Sequence, residues 1–164
     1  MNTPKRYNPF LVTLHWLTVV LMLGAGLLSE SGGDSPINFH MMLGGALLAV
    51  TLIRLGVRFA TKHPAQADTG NPLFNQLGQW MHYGLYLALF FILGMGALIA
   101  NKRNLLAVAM GTGSVTGRAG FLGDIHHLGW FLAILLILGH VGAALYHQFI
   151  LKDNLLGRMW FGKQ

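Results

Sequence analysis

GDIHHLGWFLAILLILGHVGAALYHQFILKDN, from Gly123 to Asn154, is apolar for longer than a bilayer is thick, yet it carries His126, His127, His140 and His147. Ionisable or ligating side chains inside a membrane span are costly and usually functional. At about 100° per residue, His140 sits roughly 40° in azimuth from His126 and roughly 21 Å along the helix axis. His147 lies about two turns further on, again on nearly the same face. One helix therefore offers imidazoles at three depths along a single stripe, and the rest of the chain must supply their partners.

Composition sets the class. Of 164 residues, 54% are hydrophobic and 10% charged, and mean hydropathy is +0.54. A soluble domain of this size would be about a quarter charged. The chain reads as an integral membrane protein, one domain over 1–164, long enough for about four spans and short loops. The absence of cysteine excludes disulfides, thiolate-held iron–sulfur clusters and a C-x-x-C-H haem attachment. The net charge of +6 comes from basic residues flanking apolar spans, which marks topology rather than nucleic-acid binding.

Spans are expected at about 10–28, 37–60, 77–100 and 122–150. The first follows a short polar tail with Lys5 and Arg6, and reads as a retained span because it is long for a leader and lacks a small-x-small cleavage site before Glu30. Ser29–Pro36 is a turn-rich connector, 61–72 is a polar loop, 101–120 is a longer Gly-, Ser- and Thr-rich loop, and 152–164 is a basic amphipathic tail. Lys5, Arg6, Arg54, Arg58, Lys62, Lys152, Arg158 and Lys163 belong to the tails or the second connection. Only Lys102, Arg103 and Arg118 belong to the opposite side. By the positive-inside rule both termini are cytoplasmic.

Orientation converts sequence position into depth. His15 and His82 open outward-running helices and join His140 and His147 near the inner side. His40 opens an inward-running helix and meets His126 or His127 near the outer side. Two tiers of imidazoles result. His127 points about 100° away from His126, so one of the two faces the partner. His63 reads as a plain loop residue.

Bundle cores commonly hold cofactors between facing helices. No carboxylate or thiolate shares a level with these imidazoles, which argues against a hydrolytic zinc site. There is no H-E-x-x-H, nucleophile elbow or phosphate-cradling glycine loop. Two histidines per tier suit a b-type haem. Gly44, Gly45, Gly94, Gly96, Gly139 and Gly142 give a flat macrocycle room or serve simply as small-residue helix packing. Arg54 and Arg58 suit haem propionates, or act as ordinary inner-side anchors. Any single intramembrane histidine, His82 or His147 included, also has a plain reading as a hydrogen-bonded packing residue.

At these residues the chain resembles the bacterial cytochrome b561 family of four-helix, di-haem inner-membrane proteins, which includes superoxide oxidases. The resemblance rests on L-H-W-L at Leu14–Leu17, I-N-x-H at Ile37–His40 and R-L-x-x-R at Arg54–Arg58. It continues through the H-x13-H pair of His126 and His140, A-A-L-x-H at Ala143–His147, and K-D-N at Lys152–Asn154. It implies an all-α bundle with an inner haem on His15 and His140 and an outer haem on His40 and His126. It also implies a ubiquinone site lined by His82 and His147. The third loop is where the chain differs most from that family.

The leading expectation is therefore electron transfer from an outer donor to ubiquinone. Superoxide is favoured as donor because Lys102, Arg103 and Arg118 would attract a small anion, although they also read as tolerated loop charges. A second reading is a cytochrome b subunit fed by a periplasmic dehydrogenase or hydrogenase. A third, of another class, is a histidine-relay metal or proton transporter. All five acids (Glu30, Asp34, Asp68, Asp124, Asp153) fall in loops or at span ends, which counts against that last reading.

Overall fold

The computed structural model describes residues 4–28 and 34–161. The connector residues Ser29–Gly33 (with Glu30) and Lys163 of the tail lie outside the described residues, as do the side chains of 34–38. Four helices are long and apolar enough to cross a membrane. They are α1 (Pro9–Leu28), α2 (Asp34–Ala60), α3 (Pro72–Lys102) and α5 (Phe121–Tyr146). Two short helices, α4 (Leu105–Ala109) and α6 (Leu155–Arg158), lie at the bundle ends. Among the described residues there is no strand. The protein is an all-α, multi-pass membrane protein.

Two of the spans start with the same local chemistry. The Asn8 side chain accepts the Phe10 backbone N–H at 2.9 Å, and Asn71 accepts that of Leu73 at 2.9 Å, with Pro9 and Pro72 in the first turn. Asparagine satisfies an orphan N–H there, and proline has none to lose. This explains why α3 starts at Pro72, five residues before the apolar run that marks the span in the sequence. The described part of the C-terminal tail forms the single turn of α6, and the third loop contains α4, which the sequence pattern does not announce.

α1 packs along α2, and α3 along α5, while contacts between these two hairpins are sparse. Gly129 sets the α3–α5 approach: a Cβ there would stand 3.1 Å from both Ile92 and Phe91 side chains. The hairpins join through an apolar layer of Met22, Leu47, Leu89 and Ala133, flanked by Leu21, Ile92, Trp130 and Ile137. Each of the four buried residues lies seven positions from a histidine: His15, His40, His82 and both His126 and His140 respectively. Seven residues are about two turns, so the layer falls about 10 Å from either tier, on the same faces. Thr18 and Thr51, also buried, return their hydroxyls to the carbonyls of Leu14 and Leu47 at 2.7 Å, so neither leaves a polar atom unpaired.

Candidate functional site

Above the apolar layer, toward the α3–α5 loop, His40 of α2 faces His126 of α5 with ring centroids 6.1 Å apart. Below it, toward the two tails, His15 of α1 faces His140 of α5 at 6.4 Å. Both pairs cross from one hairpin to the other. Two metal–imidazole bonds of about 2 Å, plus about 1.1 Å from each nitrogen to its ring centre, separate ring centroids by about 6.2 Å. Each pair therefore stands at the separation that one six-coordinate iron requires. Among the described residues, no three His, Cys, Asp or Glu side chains gather as metal ligands. The donor set at each level is two imidazoles, which suits a macrocycle that fills the other four positions.

The outer rings are also oriented for this role. His40 Nδ1 lies 2.9 Å from the Ala25 carbonyl of α1, and His126 Nδ1 lies 3.1 Å from the Ile92 carbonyl of α3. A carbonyl only accepts, so both Nδ1 atoms carry the proton and both Nε2 lone pairs are left for metal. Half-buried Gly44, one turn from His40 on the same face, has nothing within 4 Å of where a Cβ would be, so space is open beside that ring. Gly96 admits the His126 ring, which a Cβ there would meet at 3.4 Å. Gly26 makes room for Trp130, one turn from His126, because a Cβ there would run into the indole. His127 is exposed, so the outer pair uses His126.

A profile of the prokaryotic cytochrome b561 family matches residues 6–162. The chain belongs to that family. Its curated relatives include cytochrome b561 homolog 2 of Escherichia coli (strain K12), 29% identical over 96% of this chain and 93% of the relative. Cytochrome b562 of Cereibacter sphaeroides is 28% identical over 97% and 98%, and a probable superoxide oxidase, CybB, of Yersinia pestis is 27% identical over 94% and 96%. Membership makes this cytochrome b561 relative an electron-transfer protein that binds b-type haem.

The other expected site residues divide. His82 approaches His140, with centroids 5.3 Å apart, and its Nδ1 donates to the Gly78 carbonyl at 2.9 Å, leaving Nε2 free. Arg54 lies over the Tyr86 ring, 5.4 Å from its centroid, and within electrostatic reach of His15, His82 and His140. The Arg54 Nε and the Tyr86 hydroxyl are both buried without a hydrogen-bond partner, as is His15 Nδ1. These orphaned atoms beside the inner pair are what a propionate or carbonyl oxygen would satisfy. Arg58 is half-buried one turn further along α2.

His147, two turns beyond His140, stands against the Tyr146 ring and the Asp153 carboxylate. α5 passes there into a π-helical turn, His147–Leu151, and Lys152 (φ 55) and Asn154 (φ 56) then reverse the chain. On the opposite end, Lys102 and Arg118 are exposed and Arg103 is half-buried with its Nε unpartnered. The Thr116 backbone N–H donates to the Arg103 carbonyl at 3.1 Å, tying the far part of that loop to the end of α3. Tyr86 and Asp153 escaped the sequence reading; their signals were the i+4 spacing of Tyr86 from His82 and the K-D-N stretch after His147.

Proposed function

We propose that this cytochrome carries electrons across the bacterial inner membrane from superoxide at the outer tier to ubiquinone at the inner tier. The observation that supports it best is the pair of cross-hairpin imidazole pairs, at 6.1 and 6.4 Å, on either side of one apolar layer. Two b haems, held by His40 with His126 and by His15 with His140, would supply one-electron storage at two depths. Both tails lie at the inner-tier end and, on the excess of Lys and Arg there, face the cytoplasm.

At the outer end, Lys102, Arg103 and Arg118 of the Gly-, Ser- and Thr-rich loop give that side a basic character and draw in a small anion. At the inner end, His82 and His147 line the quinone site, with His82 Nε2 free to hydrogen-bond a carbonyl. Arg54, with Tyr86, neutralises propionate charge, and Arg58 extends that basic surface.

The test is superoxide-driven quinol formation by the purified protein in liposomes. Replacing Lys102, Arg103 and Arg118 together by glutamine should lower the second-order rate about 3- to 10-fold at low ionic strength and flatten its salt dependence. An unchanged rate and salt slope would remove superoxide as the favoured donor. A stable co-purifying dehydrogenase or hydrogenase would favour the partner-fed alternative.

A further inference from the structure

We propose that Asp153 and His147 form the proton inlet of the inner redox site. The inference rests on the reading of that site as the place where quinone is reduced, and adds where its protons come from. His147 Nδ1 and Asp153 Oδ2 are 2.6 Å apart. The His147 side chain is 9% exposed and that of Asp153 24%, so one end of the pair is sealed in protein and the other touches water. Asp153 lines a cleft of about 430 Å³ between the N-terminal tail, the α2–α3 loop and α6. His147 sits seven residues from His140, about 10 Å nearer the surface on the same face of α5. The dyad thus leads from the water-exposed cleft inward, toward the inner tier.

The backbone holds it there at a cost. The His147 carbonyl accepts both the Lys152 N–H and, at 3.3 Å, the Asp153 N–H, closing the π turn. Lys152 and Asn154 both take the left-handed conformation, which costs a non-glycine residue about 1 kcal/mol each. Asp153 Oδ1 accepts the Leu155 N–H at 3.0 Å, so the carboxylate is fixed at both oxygens. Two left-handed residues flanking one carboxylate, and a π turn beneath it, put strain where a single side chain must be aimed.

The charged groups around Asp153 are Lys5 and Arg6 of the N-terminal tail, its neighbour Lys152, and Arg158 of α6. Arg158 Nη1 donates to the Ala65 carbonyl at 2.9 Å, and so braces the cleft. Among the described residues, the Tyr146 ring stands edge-on to His147, with centroids 6.4 Å apart.

Reduction of one quinone to quinol consumes two electrons and two protons. The electrons come from two superoxide anions, each released as dioxygen. For each proton, Asp153 takes H⁺ from the cleft and passes it to His147 Nδ1, while His147 Nε2 gives its proton to the quinone oxygen. The imidazole then exchanges tautomers, and the relay is ready again.

The experiment follows haem reoxidation by ubiquinone-1 in stopped flow, after anaerobic reduction, in the wild type, Asp153→Asn and His147→Gln. Both variants keep a hydrogen-bonding group in place. Wild type should reoxidise rapidly, and each variant about tenfold or more slowly at pH 8, with haem content and midpoint potentials unchanged. Added formate should restore the Asp153→Asn rate, which a merely structural role would not allow. Unaltered rates in both variants, or slow rates that formate leaves slow, would overturn the inlet. A wild type that ubiquinone-1 does not reoxidise would overturn both the inlet and the quinone reading beneath it.

Discussion

Deleting one outer imidazole is the sharpest perturbation of the two-tier arrangement. His40→Ala removes one side of the 6.1 Å pair and leaves the 6.4 Å pair untouched. The tiers are fourteen residues apart on α5, about 21 Å, with the Met22–Leu47–Leu89–Ala133 layer between them. At that distance and an effective dielectric of about 20, a unit charge in one tier acts on the other by about 0.8 kcal/mol, equivalent to about 35 mV for a one-electron couple. The variant should therefore lose one haem of two, and the remaining midpoint should move by no more than about 35 mV. Pyridine haemochrome content per chain and an optical redox titration read both quantities. Loss of neither haem, or a shift above about 100 mV with one haem retained, would refute the spatial separation on which the estimate stands.

Other outcomes follow from particular contacts. Gly129→Leu drives a branched side chain into Phe91 and Ile92, at a cost of about 1–3 kcal/mol; because His126 is one turn away, outer-haem occupancy should fall before inner-haem occupancy. Thermal haem-release profiles would show this, and equal loss from both tiers would contradict it. Asn71→Ala should lower thermal stability by about 1 kcal/mol through its lost cap on Leu73, with spectra unchanged. Hydrogen bonds from the Asn75 side chain and the Gly70 backbone hold the Asp68 carboxyl below its ordinary value of 3.8. A depressed value means the loop is favoured above the ordinary carboxylate range and loses that support as pH falls through the folded value. The hydrogen-exchange protection factor of the Gly70 amide, which donates to Asp68 Oδ1, should thus fall in acid more than in Asp68→Asn, and matching acid profiles would discount the contact.

Much of the bundle was legible because membrane spans obey two simple rules, apolar length and charge asymmetry. Those rules put His15 at the level of His140 and His40 at the level of His126, and the rings do stand opposite one another. Whether His126 or His127 faces inward turns on a rotation of about 100°, which sequence spacing leaves open until the neighbouring helix is placed. The Ile92 carbonyl settles it in favour of His126. The helix runs ahead of the apolar span because polar Asn75, Gln76 and Gln79 interrupt the hydrophobic run while a local Asn–Pro cap begins α3 at Pro72. Depth alone places His147 in the inner tier. Nothing in the local periodicity announces that α5 widens at that histidine, reverses through two left-handed residues, and folds Asp153 back onto it.

The fit of Trp130 over Gly26 was equally invisible, since it depends on an indole and a bare backbone position 104 residues apart meeting at one helix crossing. The apolar layer was implicit in the histidine spacing but needed four placed helices to be seen as one level.

The central claim, that two cross-hairpin imidazole pairs each clamp an iron porphyrin, is tested most directly by low-temperature electron paramagnetic resonance of the oxidised, purified protein with a parallel haem count. The account predicts two low-spin, bis-imidazole ferric signals and two b haems per chain. A high-spin spectrum, a single haem, or a colourless preparation would contradict it.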